Sequence, residues 1–288
     1  MGEYPKTSRW LCIPAHQIIL LPVAMGCITL LTDFGLHDAS VASAKGILMQ
    51  HAPQCPIIDI SHTSEPFHLQ QAAYLLMAAH PSFARGTCHV AFFDVMSEEN
   101  PHLILCQKNG QYFLAPDNGL LALAFPGGLE NVWQCYELKE PHTFKDWIHT
   151  VGSIVAQLQT KTPAQLKLPR SVLKNAPQQW QLKVDANTVE CHVIYIDRFE
   201  NVVINITREQ FNEIGNGRPF RIQFMRDEEI TELTPYYATV KESEKLCRFN
   251  SAGFLEIAIN RGKAASLFGF RLHKEHHMIY HTIKIFFE

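Results

Sequence analysis

The sequence predicts two domains: an N-terminal α/β domain, with a mixed, mostly parallel sheet and helices on both faces, and a smaller, all-β, barrel-like domain at the C-terminal end. Up to residue 125, short apolar runs alternate with helical patterns, which is typical of an α/β sheet. Beyond residue 180 the runs are β-branched and alternating. A polar, proline-containing segment separates the two patterns. We therefore assign residues 25–160 to the first domain, 161–179 to a linker and 180–288 to the second.

The first domain opens on a buried strand at residues 27–31, followed by a helix at 39–49. A second strand at 56–62 leads into a helix that we expect Ser64, Glu65 and Pro66 to open. The next apolar runs predict strands at residues 87–93, 103–106 and 112–115. The turn between the last two strands contains Asn-Gly, which indicates a hairpin, and the apolar run after it, to residue 125, predicts a helix.

The second domain shows no long helical pattern. Its β-branched runs predict strands at residues 189–197, 201–206, 220–224, 254–259 and 279–286. The first two runs are separated by only three residues, which indicates a tight hairpin. A set of short strands with close connections favours a barrel-like domain.

Composition limits the classes of function. The chain of 288 residues is 47% hydrophobic and 18% charged, the profile of a globular protein with a substantial core. The formal net charge is -3 and no basic block stands out, which argues against a nucleic-acid partner. Nothing predicts a membrane partner either. The eight cysteines are scattered without a CxxC pair, which argues against a zinc or redox motif and indicates a reducing, cytoplasmic compartment.

Residues 1–24 stay outside the predicted fold. Residues 18–24 are apolar and follow Lys6 and Arg9, a pattern that loosely imitates a secretion signal. The run is too short to span a bilayer as a helix. Met25 stands directly before the first strand and is an alternative start. We treat residues 1–24 as an extension, with secretion as the second interpretation.

Polar side chains follow the ends of three predicted strands. Asp33 and Asp38 follow the first strand, Asp59 and His62 close the second, and Asp94 ends the third. Ligands of open α/β sheets bind in the crevice outside these strand ends. Taken singly, each group has a structural explanation, since carboxylates also close turns and cap helices. Together, and with a further Asp-Asn-Gly cluster before the apolar helix, they predict a ligand site.

Six motifs in order resemble the S-adenosylmethionine hydroxide adenosyltransferase family, which also contains fluorinating and chlorinating enzymes. The motifs are TDFGLHD, IIDISH, GTCHVAFFD, APDNGLL, IDRFENVVINI and SAGFLEIAINRGKAAS. The resemblance covers roughly residues 27–288, nearly the whole chain. Six motifs in one order are more specific than any one of them.

The resemblance implies a hydrolase that converts S-adenosylmethionine and water to adenosine and L-methionine by attack at the ribose C5′, without a cofactor. It also implies a homotrimer, with the substrate between one subunit's N-terminal domain and a neighbour's C-terminal domain. Asp33 is expected to bind the ribose hydroxyls, because a carboxylate accepts hydrogen bonds from both. The other implied substrate residues are Asp38, Ser40, Phe67, Asp197, Phe199, Asn201 and Ser251.

Each of these residues has an implied partner. Asp38 and Ser40 are expected at the methionine side or in support of their loop, and Phe67 beside the ribose. Asp197 is expected to meet the ammonium of the methionine moiety, and Ser251 its carboxylate. Phe199 and Asn201 are expected to flank and bind the adenine, whereas residue pattern alone indicates a core aromatic at 199 and a hairpin residue at 201.

The catalytic set departs from the family pattern. Asp94 matches the family's aspartate on the side of the reacting water. The family's arginine is missing from residues 95–102, and its histidine is not in place either. His102 and His142 are the candidate replacements. Loss of a fixed charge at the reacting atoms predicts slow turnover.

Three other functions stay open. A binding protein would hold S-adenosylmethionine or adenosine without turnover. A metal-dependent hydrolase would use the carboxylates and the histidine at the strand ends as ligands. A halogenase would need a dehydrated halide pocket, and the loops that would form it, at Ser97, Thr143 and Phe144, are altered.

Overall fold

The computed structural model describes residues 26–95, 101–137, 143–175, 182–225, 228–272 and 282–288, and it confirms the two predicted domains. The first contains a six-stranded sheet in the order β2-β1-β3-β5-β4-β6. Its strands are β1 (Ile28–Thr32), β2 (Ile57–Ser61), β3 (Cys88–Phe92), β4 (His102–Lys108), β5 (Gln111–Pro116) and β6 (Asn131–Glu137). Strands β2, β1, β3 and β5 pair in parallel, and β4 runs antiparallel to both its neighbours.

Helices cover both faces of this sheet, as predicted. They are α1 (Ser40–His51), α2 (Leu69–Ala79), α3 (Leu120–Ala124) and α4 (Phe144–Leu158). Consecutive residues of a strand point to opposite faces. Leu30 accordingly packs with α1 and α4, whereas Leu31 packs with α2 and α3. The sheet is therefore buried on both sides, and its ligand-accessible part is the edge where the strands end.

In the first domain the structure adds a strand and a helix that the sequence patterns did not predict, β6 and α4. In the second domain it adds three strands and two helices: β7 (Lys183–Val184), β11 (Glu228–Ile230), β12 (Lys245–Phe249), α5 (Arg208–Gly215) and α6 (Ala264–Phe268). The signal for α4 was present, because Thr143 and Asp146 form a capping box before an apolar stripe that includes Trp147 and Val151. Comparison with the family motif instead predicts an altered catalytic loop in this segment. The predicted start of α2 at Ser64–Pro66 was wrong, since the helix begins at Leu69 with His68 as its cap.

The segment between the domains lies along the edge of the first sheet. The Gln134 amide donates to the Pro169 carbonyl at 3.0 Å, and the Ser171 amide donates to the Val132 carbonyl at 3.1 Å. The Lys174 amide donates to a carboxylate oxygen of Asp117, also at 3.0 Å. Backbone pairing therefore fixes this part of the connection against β6.

The second domain is a nearly closed antiparallel sheet in the order β11-β10-β14-β8-β9-β13-β12, with β7 paired to β8. Its strands are β7 (Lys183–Val184), β8 (Thr188–Ile196), β9 (Val202–Thr207), β10 (Phe220–Met225), β11 (Glu228–Ile230), β12 (Lys245–Phe249), β13 (Phe254–Ile259) and β14 (Thr282–Phe287). A bridge between Leu233 and Cys247 brings the two outer strands together. Two short helices, α5 (Arg208–Gly215) and α6 (Ala264–Phe268), flank the barrel.

Helix α2 carries the contact between the domains. The Tyr74 ring stacks on Tyr195 with centroids 5.0 Å apart and meets Phe254 edge-on at 5.5 Å. The Asn250 side-chain amide donates to the Tyr74 hydroxyl at 3.1 Å. Burial raises the pKa of Tyr74 to about 12, so its hydroxyl stays protonated. Within the described part of the chain, no helix is long and apolar enough to cross a membrane.

Candidate functional site

Asp33 connects two loops at the carboxyl edge of the first sheet. It follows β1 directly, and its Oδ2 accepts the backbone N–H of Phe67 at 3.1 Å and that of Asp94 at 3.2 Å. Phe67 lies in the loop after β2, and Asp94 in the loop after β3. Because β1 pairs with both β2 and β3, the three loops meet at one edge. The structure therefore brings these three predicted site residues together.

The two residues that donate to Asp33 have left-handed backbones. The φ angles are 63° for Phe67 and 49° for Asp94, a region that non-glycine residues enter at a cost of about 1–2 kcal/mol each. The hydrogen bonds to Asp33 offset part of this cost. The left-handed turn at Phe67 also ends any helical path from Ser64, which explains why α2 begins after it. Such strain is concentrated at functional sites.

Asp38 and Ser40 form a local turn at the start of α1. The Ser40 amide donates to Asp38 Oδ1 at 2.8 Å. Hydrogen bonds from the backbone and side chain of Ser40 lower the pKa of Asp38, which is fully exposed. The predicted pair is thus adjacent, with Asp38 kept as a carboxylate at the open side of the edge.

The loop after β3 is fixed from the side of β5. The Asn118 side-chain amide donates to the Phe93 carbonyl at 2.9 Å, directly before Asp94. His102 opens β4, which runs antiparallel to β5, so it lies at the same edge. Two strand spacings separate β4 from β3, which places His102 on the order of 10 Å from the Asp94 loop. Asn118 thus fixes the backbone directly before Asp94, a role that the sequence indicated only as a turn signal.

The start of α4 lies beside the Asp33 loop. The Phe144 ring meets Phe34 edge-on at 4.7 Å, and Phe34 stacks on Phe92 at 6.3 Å. Thr143 is engaged in the helix cap. Thr143 and Phe144 thus have structural roles in the described part of the chain. His142, predicted as a catalytic residue, lies outside the described residues, as does Ser97.

The residues of the proposed metal site do not converge. Asp59 lies within β2 rather than at its end, and its Oδ2 pairs with Lys45 at 2.6 Å. Burial opposes the charged form of Asp59, but the hydrogen bonds with Lys45 and His62 outweigh it and lower the pKa. His62 Nδ1 lies 2.8 Å from the Thr32 hydroxyl, and its Nε2 lies 3.1 Å from Asp59 Oδ1.

These contacts give Asp59 and His62 a structural role. The His62 carbonyl also accepts the Gly35 amide at 2.7 Å, which holds the loop after β1. In the residues described here, no three His, Cys, Asp or Glu side chains form a metal-binding group. Asp59 and His62, which the metal-dependent alternative would use as ligands, instead have side-chain partners on α1 and β1 and in each other.

A second group of predicted residues forms the turn between β8 and β9. Asp197 Oδ1 accepts the amides of Phe199 at 2.9 Å and Asn201 at 2.8 Å, and its Oδ2 accepts the Asn201 side-chain amide at 3.0 Å. Asn201 is buried, whereas the Phe199 side chain is 73% exposed. The turn therefore presents Phe199 outwards and uses the Asn201 side chain internally.

Helix α6 is fastened to the same turn. Glu200, at φ 64°, accepts the Ser266 amide at 3.0 Å and pairs with Lys263 at 2.7 Å. The hydrogen bond with Lys263 is the main cause of its lowered pKa. The Ala265 amide donates to the Glu200 carbonyl at 2.9 Å. These bonds make the turn a rigid support for the side chains it exposes.

Ser251 is exposed on the turn between β12 and β13. Its neighbour Asn250 shapes this turn, because Asn250 Oδ1 accepts the amides of Ala252 at 3.0 Å and Phe254 at 3.1 Å. The predicted substrate residues thus form two groups, one on each domain. A cavity of about 820 Å³ between α2, α3 and the barrel is lined by other residues.

Comparisons with known proteins agree with these motifs. Family models of the SAM hydroxide adenosyltransferase N-terminal and C-terminal domains match residues 28–162 and 191–276. An (R)-S-adenosyl-L-methionine hydrolase of Methanocaldococcus jannaschii is 29% identical over 253 residues, 83% of this chain and 90% of the relative. A protein of the same name from Thermus thermophilus is 27% identical, and the match covers 84% of this chain and 94% of the relative.

Two further comparisons extend the match. A fluorinase of Nocardia brasiliensis is 25% identical, over 83% of this chain and 91% of the relative. The crystal structure of an uncharacterized conserved protein from Thermotoga maritima matches with a TM-score of 0.75 at 26% identity, covering 90% of this chain and 99% of that one. Both domains are matched in order, so this chain belongs to the SAM hydroxide adenosyltransferase family.

Proposed function

We propose that this protein is an S-adenosyl-L-methionine hydrolase that releases adenosine and L-methionine. The hydrolase names of its relatives support this function. The observation that carries it is the state of Asp33. Both backbone bonds fall on Oδ2, and Oδ1 has no hydrogen-bond partner among the described residues. A charged acceptor is therefore available at the strand edge for a ligand that brings hydroxyl donors.

Asp33 is the proposed ribose residue. Its Oδ1 would accept the two ribose hydroxyls, while Oδ2 keeps the loops of Phe67 and Asp94 in place. The Phe67 side chain is 60% exposed beside it, an apolar surface suited to cover the sugar. Asp38 and Ser40 border the same edge, on the proposed methionine side.

The substrate site is proposed to be completed by a neighbouring subunit in a homotrimer. Phe199 and Ser251 are exposed on the barrel, and Phe67 is exposed on the sheet edge. Aromatic side chains that stay exposed in the single chain are candidates for burial between copies. In this arrangement the Asp197 turn binds the ammonium, Ser251 the carboxylate, and Phe199 with Asn201 the adenine. Sedimentation equilibrium of the purified protein should give three times the chain mass.

The reaction needs one displacement. A water oxygen attacks C5′, the bond from C5′ to the sulfonium sulfur breaks, and its electron pair stays on sulfur as the methionine thioether. The water must be held in line and must lose a proton. Asp94 is the proposed group for that side, because its backbone is fixed beside Asp33 by two loops. His102, at the same edge, and His142 are the proposed replacements for the missing family residues, and turnover is expected to be slow.

The test is product analysis in labelled water. Purified protein with S-adenosylmethionine in H₂¹⁸O should yield adenosine that carries the label on its 5′ oxygen, together with methionine. The (R) and (S) sulfonium epimers should be assayed separately, because the relatives' names specify (R). If no adenosine forms above the level of a heat-treated blank, the hydrolase function is excluded and a binding protein without turnover is favoured. A 5′-halogenated nucleoside formed only with added chloride or fluoride would instead establish a halogenase.

We also propose a cytoplasmic location. In the described part of the chain seven cysteines are free, and most of them are buried in the two cores. Burial raises the pKa of Cys88, Cys106 and Cys191, so these thiols are unreactive hydrophobic residues. A protein with many unpaired thiols suits a reducing compartment. Fractionation of the source cells would test the location.

A further inference from the structure

Glu256 is a buried acid that none of the predicted roles uses. It lies on β13 and is only 4% exposed. Its neighbours Leu255 and Ile257 point into the barrel core, so Glu256 points to the outer face, towards the domain junction. A buried carboxylate needs hydrogen bonds or opposite charge, because leaving water is costly.

The partners of Glu256 lead to the Ser251 turn. The Tyr237 hydroxyl donates to Glu256 Oε1 at 2.5 Å. Asn250 lies two residues beyond Arg248, the register partner of Glu256, so its side chain lies on the same face of the sheet. Asn250 is also the residue that shapes the Ser251 turn. Through its own bond to Tyr74, Asn250 ties this network to α2. Asn250 therefore connects the sheet face that carries Glu256 to the turn of Ser251, a proposed substrate contact.

The charges around Glu256 come from several elements. Asp197 lies two residues past Tyr195 on the same face of the sheet, and Tyr195 and Glu256 both pair with Val203. Arg248 is the register partner of Glu256 on β12. The Arg248 guanidinium lies 4.8 Å from the centre of the Tyr237 ring. Burial raises the pKa of Glu256 and the charge of Asp197 raises it further, against the Tyr237 bond and Arg248. Tyr74 also faces this group.

We propose that Glu256 is a positioning residue for the amino-acid end of the substrate, which shares one face of the barrel sheet with Asn250 of the Ser251 turn and adds negative charge behind Asp197. This inference rests on the proposed function. Two acids that face each other repel, and a ligand ammonium placed at Asp197 relieves that repulsion. Adenosine has no ammonium, so Glu256 should strengthen binding of the substrate but not of the nucleoside product.

The test is a comparison of substrate and product on one isosteric variant. Glu256→Gln keeps the volume and the Tyr237 bond and removes only the charge. We expect the KM for S-adenosylmethionine to rise about tenfold, with kcat and the inhibition constant of adenosine changed less than twofold. A second variant, Tyr237→Phe, keeps the charge and removes the hydroxyl, and it should move the pH dependence of KM to higher pH without the tenfold loss.

The outcomes separate the two hypotheses. An unchanged KM in Glu256→Gln, or equal weakening of substrate and adenosine, would overturn the positioning role while the hydrolase function stands. A wild-type protein that neither binds nor cleaves S-adenosylmethionine would overturn both. The melting temperature of Glu256→Gln serves as the folding control and should be equal or higher, because a charge has left a buried position.

Discussion

The two groups of proposed substrate residues differ in how their acids are hydrogen-bonded. Asp197 accepts three hydrogen bonds from its own turn, with both oxygens engaged. Asp33 accepts two on one oxygen, from residues with left-handed backbones, while the other oxygen has no partner in the described part of the chain. Both carboxylate oxygens of Asp197 are thus hydrogen-bonded within its own turn. At the strand edge, two residues with left-handed backbones surround Asp33, and its Oδ1 is available to accept hydrogen bonds. The difference indicates that affinity for the nucleoside is concentrated at the strand edge.

Replacing Asp33 should have the largest effect. Asp33→Ala removes the proposed ribose acceptor and both loop bonds, so we expect the affinity for adenosine to fall more than about 100-fold, as for loss of two charge-assisted hydrogen bonds. Calorimetry with adenosine measures this. Asp185→Ala, which removes an exposed acid from the turn before β8, is the control and should bind normally. Normal binding by Asp33→Ala would place the nucleoside elsewhere.

Asp94→Asn should separate chemistry from binding. Asparagine tolerates the left-handed backbone of this position, so the loop should keep its shape. We expect kcat to fall about 100-fold, the usual scale for a proton-transfer group, with adenosine affinity unchanged within twofold. Chromatography of samples quenched at successive times gives kcat, and calorimetry gives the affinity for adenosine. Loss of binding equal to that of Asp33→Ala would contradict the division of roles between the two residues.

A substitution in the turn between β8 and β9 should lower the free energy of unfolding. Asn201→Ala leaves Asp197 Oδ2 without its partner, and we expect a loss of about 1–2 kcal/mol in the free energy of unfolding. For a chain of this size the melting temperature should fall by a few degrees. Asn212→Ala, on the exposed side of α5, is the matched control. Because Asn201 is also a proposed adenine residue, the affinity of this variant for adenosine should fall as well. A variant as stable as the wild type would contradict the internal role of the side chain.

The smallest effect is expected at Asp59, and it should depend on pH. Its pKa is lowered in the folded protein, so its contribution to stability is present above the unfolded value of about 3.9 and is lost as the pH falls through the folded value. Asp59→Asn should cost at most about 0.5 kcal/mol at pH 7, because the side chain is partly exposed and screened. Denaturation curves at pH 7 and pH 3 test this, and a difference that grew at pH 3 would contradict the sign.

Local sequence patterns were sufficient to predict most of the strands and helices of the first domain. They also predicted that Asp33 lies at the carboxyl edge of the first sheet. Apolar runs and turn residues placed five strands of the first sheet and the barrel hairpin, because burial on both faces and tight turns leave direct marks in sequence. The partners of Asp59 could not be obtained this way. The predicted strand at 56–62 already contained Asp59, but its ion pair with Lys45 depends on how α1 packs beside β2.

The family, the two domains and the carboxylate at the end of β1 could all be predicted from the sequence. How each acid is hydrogen-bonded became visible only in the folded chain. Phe67 and Asp94 are distant from Asp33 in the chain, so no spacing rule reveals that their amides share one of its oxygens. In the sequence, Glu256 is an isolated acid in an apolar strand. In the folded chain, Tyr237, Asn250 and Asp197 lie on the same side of the barrel as its side chain. Hydrogen bonding and charge are set by neighbours in space, and only folding brings those neighbours together.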